Sequence, residues 1–87
     1  MTIYNFYSII QQEDGVFAVT FPDLENCFTD GDTLDEAVEM AHDALVSLLA
    51  VYEDYGDVIP AATDAERIVV PEGAELILIT VDTDNFK

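Results

Sequence analysis

The amino-acid sequence predicts one α+β domain spanning residues 1–87: a three-stranded antiparallel meander, one long helix, and a fourth strand parallel to the first, in the order 3-2-1-4. Three observations carry this. Aromatic and β-branched runs flank Glu13-Asp14-Gly15, a hairpin turn signal. Thr33-Leu34-Asp35-Glu36 is a capping box, and apolar residues follow it at helical spacing. A near-continuous apolar run, Glu75 to Val81, has the character of a strand covered on at least one face.

Taken in order, Tyr4 to Gln11 is the first strand and Val16 to Phe21 the second, with Gly15 free to adopt positive φ between them. Pro22 ends the second strand, because proline cannot donate to a ladder. Asp23 to Asn26 is a turn and Cys27 to Asp30 a short third strand. The helix runs from Thr33 to about Tyr55, stopped by Gly56. Leu34, Ala37, Val38, Ala41, Ala44, Leu45, Leu48, Leu49 and Tyr52 make its apolar face, while Asp35, Glu36, Glu39, His42, Asp43 and Ser47 make the other. Asp57 to Ala62 is loop. Thr63-Asp64-Ala65-Glu66 can cap a single helical turn, and Ile68 to Val70 is extended before Pro71. Asp82 to Asn85 is a polar tail.

A right-handed crossover through the helix brings the last strand beside the first and gives the predicted order. One helix covers one sheet face only. Tyr4, Phe6, Tyr7, Phe17 and Val19 exceed what it can cover, so an exposed apolar patch or a homo-oligomer interface is expected.

The charge sets the class of partner. Nineteen Asp and Glu oppose only Arg67 and Lys87, a formal net charge of −17, which repels nucleic acid and anionic membranes and favours a basic protein. Apolar residues at 51% argue against disorder despite that charge. No apolar run reaches the roughly 18 residues that span a bilayer, the N-terminus has no signal-peptide pattern, and Cys27 is alone, so a cytoplasmic location is expected.

Catalytic chemistry is not expected. A two-metal nuclease needs converging carboxylates, one from the first strand, and Tyr4 to Gln11 has none. Asp30-Gly31-Asp32 and Asp82-Thr83-Asp84 resemble the start of a calcium loop, but the first lacks the later ligands in register and the second runs to the chain end. Neither a metal nor a cofactor is expected. His42 sits among acids on the polar helix face. Cys27, with no basic residue near it in sequence, has the character of an inert thiol.

Phe21-Pro22-Asp23-Leu24, Cys27, Gly31-Asp32-Thr33 and Glu36-Ala37 together resemble the signature of the HicB antitoxin family. The resemblance extends through Ile59-Pro60 and Val70-Pro71-Glu72-Gly73 to Asp82-Thr83-Asp84. Asn26 departs from it, standing where the family usually has glycine; asparagine tolerates positive φ, so the turn can survive. The resemblance implies a partial ribonuclease-H-like fold and an antitoxin without catalysis of its own. Its implied partner is a small basic HicA-type toxin, an mRNA interferase with a catalytic histidine, inhibited by occlusion of its RNA-binding face. The acidic residues offered for the contact are Asp23, Glu25, Asp30, Asp32, Asp35, Glu36 and Glu39. An orphan HicB-like regulatory module is the alternative.

Many HicB-like chains continue beyond the position of Asp84 into a DNA-binding module, which is expected to be absent here. DNA affinity grows with the number of phosphates that Lys and Arg neutralise, and Arg67 and Lys87 cannot form a positive stripe. The 87-residue chain is therefore expected to give no sequence-specific mobility shift with its own promoter at low salt. A specific shift would overturn the electrostatic argument.

Overall fold

The computed structural model describes the backbone of residues 2–86 and the side chains of residues 2–84. Lys87, one of the two basic residues, lies outside them. The strands are β1 (Ile3–Glu13), β2 (Val16–Phe21), β3 (Leu24–Gly31) and β4 (Glu75–Asp82), in one sheet of order β3-β2-β1-β4. Helix α1 (Leu34–Tyr55) covers one face; a 3-10 turn at Ala65–Arg67 and a short helix α2 (Thr83–Phe86) complete the chain.

The hairpin is tighter than expected. Asp14 (φ 51°) and Gly15 (φ 82°) form the whole turn, and Glu13 pairs directly with Val16. Two successive positive φ values define the turn whose twist matches that of a hairpin. β3 is longer than the expected Cys27–Asp30. It starts at Leu24, which pairs with Phe21, so Pro22 and Asp23 alone make the turn. Between the pairs Phe21–Leu24 and Thr20–Phe28 the ladder is interrupted by a bulge that holds Glu25, Asn26 and Cys27. Asn26 does not use the left-handed region: among the described residues Asp14 is the only non-glycine with positive φ.

The helix begins as its capping box predicts, with one change of partner. The Thr33 hydroxyl accepts from the Glu36 N–H at 3.1 Å, but the Glu36 carboxylate accepts from the N–H of Asp32, at 3.3 Å, rather than that of Thr33. Gly56 (φ 70°) ends it, and the N–H groups of Gly56 and Asp57 satisfy the carbonyls of Glu53 and Tyr52. Ala37, Ala41, Leu45 and Leu49 have no exposed surface and pack with Phe6, Ile10, Val19, Phe21, Leu24, Cys27, Ile79 and Val81. The small residues come first because the helix starts close to β3. A methyl group on Gly31 would lie 2.5 Å from the Ala37 nitrogen.

β4 runs antiparallel to β1, which corrects the parallel pairing expected from the sequence. That expectation assumed a fourth strand beginning where α1 ends. α1 starts at the hairpin end of the sheet, where Gly31 pairs with Phe17 and Phe17 with Gln12, and ends beside Tyr4. Residues 56–74 then carry the chain back to the hairpin end, where Glu75 pairs with Ile10, before β4 descends to Asp82 opposite Ile3. An extended chain covers roughly 3.3 Å per residue, so this segment has ample length for the return. It is held on the way by Ile59, which packs on the core, and by Asp23, which accepts from the Thr63 N–H at 2.9 Å. The antiparallel fourth strand also departs from the arrangement implied by a ribonuclease-H-like fold.

Two further expectations change. Tyr4, Phe6, Phe17 and Val19 all fit on the helix side; only Tyr7 lies on the other face, in register with Leu78. The apolar side chains most open to solvent on that face are Phe28, Ile3 and Leu78. The polar tail is ordered into α2, with Thr83 fully buried.

Gly31 is where the packing has least tolerance, because the opposing atoms are helix backbone. Gly31→Ala is expected to lower unfolding stability by about 1–3 kcal/mol or more, the range for overpacked cores. Urea denaturation followed by circular dichroism measures this.

Candidate functional site

The seven acidic residues singled out in the sequence fall in three places. Asp32, Asp35, Glu36 and Glu39 gather at the start of α1, all exposed. Asp23 and Glu25 lie at the opposite end of β3. Asp30, in register with Ala18, is on the sheet face away from the helix.

Asp23 is engaged in structure. Its two carboxylate oxygens accept from the backbone N–H and the hydroxyl of Thr63, which ties the segment 56–74 to the β2–β3 turn. Glu36 is partly committed to its cap. Asp35 and Glu39, one helical turn apart, have no such role among the hydrogen bonds of the described residues.

The helix extends the acidic cluster further than the sequence had indicated. Glu36, Met40, Asp43, Ser47, Val51 and Asp54 follow one another at intervals of three and four residues, and all are exposed. They form one ridge along α1, flanked at its start by Asp35 and Glu39. Met40 (39% exposed) and Val51 (46%) put apolar surface within that acidic ridge. Apolar anchors inside a charged rim are the usual anatomy of a protein interface. No lysine or arginine lies anywhere on α1, so Asp35, Glu36, Glu39 and Asp43 have no lysine or arginine one helical turn away on it. Asp43 was legible from that spacing, but a solvent-exposed Met40 was not, since methionine at helical spacing is usually core.

A second polar group was missed. The Tyr4 hydroxyl and the Thr83 hydroxyl both donate to Glu53 Oε2, at 2.8 and 2.9 Å, and the Thr83 N–H donates to the Thr2 carbonyl at 3.1 Å. This joins the start of β1, the end of α1 and the start of α2. In the sequence Tyr4 showed only as a strand aromatic and Thr83 as part of a tail.

Among the described residues no three of His, Cys, Asp and Glu converge to hold a metal ion. His42 is half-exposed, its Nδ1 3.8 Å from an Asp43 carboxylate oxygen. No helix of the described residues is long and apolar enough to cross a membrane. Cys27 is buried, and desolvation pushes its thiol from an ordinary value near 9.0 up to about 11. This arrangement presents charge and apolar anchors on a helix.

A family described as HicB-like antitoxin of bacterial toxin-antitoxin systems matches residues 6–87. Antitoxin HicB 2 of Photorhabdus laumondii is 35% identical over 75 residues, 84% of this chain and 54% of the relative. The chain spans about half the length or less of the curated relatives it matches. The N-terminal domain of antitoxin HicB from Burkholderia pseudomallei superposes with a TM-score of 0.79 at 28% identity, covering 91% of this chain and 99% of that one. A chain from a toxin–antitoxin complex of Streptococcus pneumoniae has the same fold, with a TM-score of 0.88 at 16% identity, covering 98% of this chain and 73% of that one.

The raised Cys27 value makes stability depend on pH in a definite direction. Above pH 9 the unfolded thiol ionises while the folded one stays protonated, so stability contributed by burial is intact below pH 9 and lost as pH rises through about 11. Between those values wild-type stability is expected to fall more steeply with pH than that of Cys27→Ala. Parallel denaturant titrations of the two proteins measure the difference in slope.

Proposed function

The chain belongs to the HicB-like antitoxin family, and we propose that it acts as the toxin-binding part of an antitoxin, without catalysis of its own. Its partner is a small basic toxin of the HicA type, an mRNA interferase, and inhibition is occlusion of the toxin's RNA-binding face in the cytoplasm. The observation that carries this is the ridge of α1: exposed acidic side chains on a helix that has no lysine or arginine, interrupted by exposed Met40 and Val51, on a chain of net charge −17. Such a surface resembles the charge of RNA, and a basic RNA-binding face is complementary to it. A solved neighbour of this fold comes from a toxin–antitoxin complex, which supports the same reading.

The contact surface we propose comprises Asp32, Asp35, Glu36 and Glu39 from the predicted set, continued by Met40 and Asp43. Glu25 and Asp30 lie away from it, and Asp23 is held by Thr63. The same charge disfavours direct binding to RNA or DNA. Long-range attraction raises association rates from about 10⁵–10⁶ toward 10⁸–10⁹ M⁻¹s⁻¹ at low salt, and salt screens it over roughly 10 Å at 0.1 M.

The test is RNA cleavage by the cognate toxin titrated with this chain. Cleavage is expected to stop at stoichiometric addition, and the association rate to fall steeply with salt. The double variant Glu39→Lys, Asp43→Lys, which touches no capping bond, is expected to lose about tenfold or more in affinity, equivalent to roughly 1.4 kcal/mol. Equal cleavage at saturating excess of the wild-type chain would refute the proposal.

A further inference from the structure

We propose that the outer edge of β4 is an interface between two copies of this chain, joined as antiparallel neighbours in one eight-stranded sheet. The hydrogen-bond phase of the sheet leads to it. Glu13 and Val16 close a two-residue hairpin, so they exchange both backbone hydrogen bonds. Counting back along β1 by twos, odd residues bond to β2 and even ones, from Ile10 to Tyr4, bond to β4. Their partners on β4 are Glu75, Ile77, Ile79 and Val81. The Ser8 hydroxyl donating to the Ile77 carbonyl, and the Thr83 N–H donating to the Thr2 carbonyl, follow the same phase. The N–H and C=O groups of Leu76, Leu78 and Thr80 therefore point outward from the sheet. Among the described residues no turn or loop backbone bonds to them.

This edge lacks the devices that keep edges from pairing. Glu75–Asp82 contains no proline, lysine or glycine, and its pairing with β1 is continuous from Ile10 to Ile3 without a bulge. The opposite edge, β3, is protected: it is interrupted by a bulge and carries Glu25 and Asp30.

The occupant is a second copy because the strand is complementary to itself. For two identical antiparallel strands, directly opposed residues share a sheet face only if the two-fold axis passes through a residue. Centred on Leu78, the register sets Leu78 against Leu78, Leu76 against Thr80 and Ile77 against Ile79. The outward groups of Leu76, Leu78 and Thr80 then meet as bonded pairs. Glu75 lies opposite Val81 and Asp82 opposite Ala74, so no carboxylate opposes another. Both α1 helices lie on the same side, and the exposed surfaces of Leu78 (47%) merge on the other. Two chains of charge −17 repel at long range, so added salt strengthens this association, opposite to its effect on a basic partner. The inference does not depend on toxin binding, and the cleavage assay above can succeed or fail independently of it.

The experiment is sedimentation equilibrium of the wild-type chain, Leu78→Lys and Phe28→Lys at low and high salt, with circular dichroism to confirm folding. The two variants change the charge equally at exposed positions. The wild type and Phe28→Lys are expected to approach twice the monomer mass at high salt, while Leu78→Lys stays monomeric. Amide exchange at Leu76, Leu78 and Thr80 is expected to slow by about tenfold or more on concentrating the wild type. A wild type that remains monomeric throughout overturns the proposal. So does a dimer lost in Phe28→Lys but retained in Leu78→Lys, or one that leaves those three amides unprotected.

Discussion

The seating of α1 on β3 at Gly31 is the constraint on which the rest of the structure depends. With no side chain there, the helix start approaches backbone to backbone, and Ala37 and Ala41 fit beneath it. Further along the helix the larger Leu45 and Leu49 are fully buried in the same core as Phe6 and Ile10 of β1 and Ile79 and Val81 of β4. The capping bonds of Thr33 and Glu36 fix where the first turn begins, so the helix cannot slide along its own axis without losing them. Seating the apolar side on the sheet leaves the acidic ridge pointing outward. Position of the core and presentation of charge are thus one consequence of a single close approach.

Such a surface works against the fold that carries it. Carboxylates repeated at three- and four-residue intervals along α1 repel one another by about 0.2–0.5 kcal/mol per i,i+4 pair. In a small domain with one helix over one sheet face, that is an appreciable loss. The compensation visible in the structure is local: acidic residues in the first turn favour the helix N-terminus, and Gly56 closes the other end cleanly. A cationic partner laid along the ridge would relieve the remaining repulsion, so binding and stability are coupled through the same side chains.

What the sequence made legible was local. The hairpin, the capping box, the helix and its stop, and the last strand all rest on residues close together in the chain, such as Asp14-Gly15 and Thr33–Glu36, while the strand order came from a crossover rule. The direction of β4 was not legible, because it depends on where residues 56–74 lead, and that is set by distant bonds such as Asp23 to Thr63. The same holds for Thr83, which bonds to Thr2, just before β1, and to Glu53 on α1, both far from it in the chain. The acidic start of α1 was visible as composition and spacing. Its continuation through Met40 and Asp43, and the removal of Asp23 from it, required the packed structure.

The antiparallel return of β4 has a mechanical consequence. Thr2 and Thr83 meet at one corner of the sheet, so a force drawing them apart acts across the β1–β4 ladder rather than along it. The hydrogen bonds are loaded one after another, as in opening a zipper. A parallel fourth strand would have set the same ladder in shear, with all its bonds sharing the load. The Tyr4–Glu53–Thr83 cluster sits where such a zipper starts. Resistance to pulling is thereby concentrated in a few bonds around one carboxylate, while the larger core behind them contributes only after they have opened.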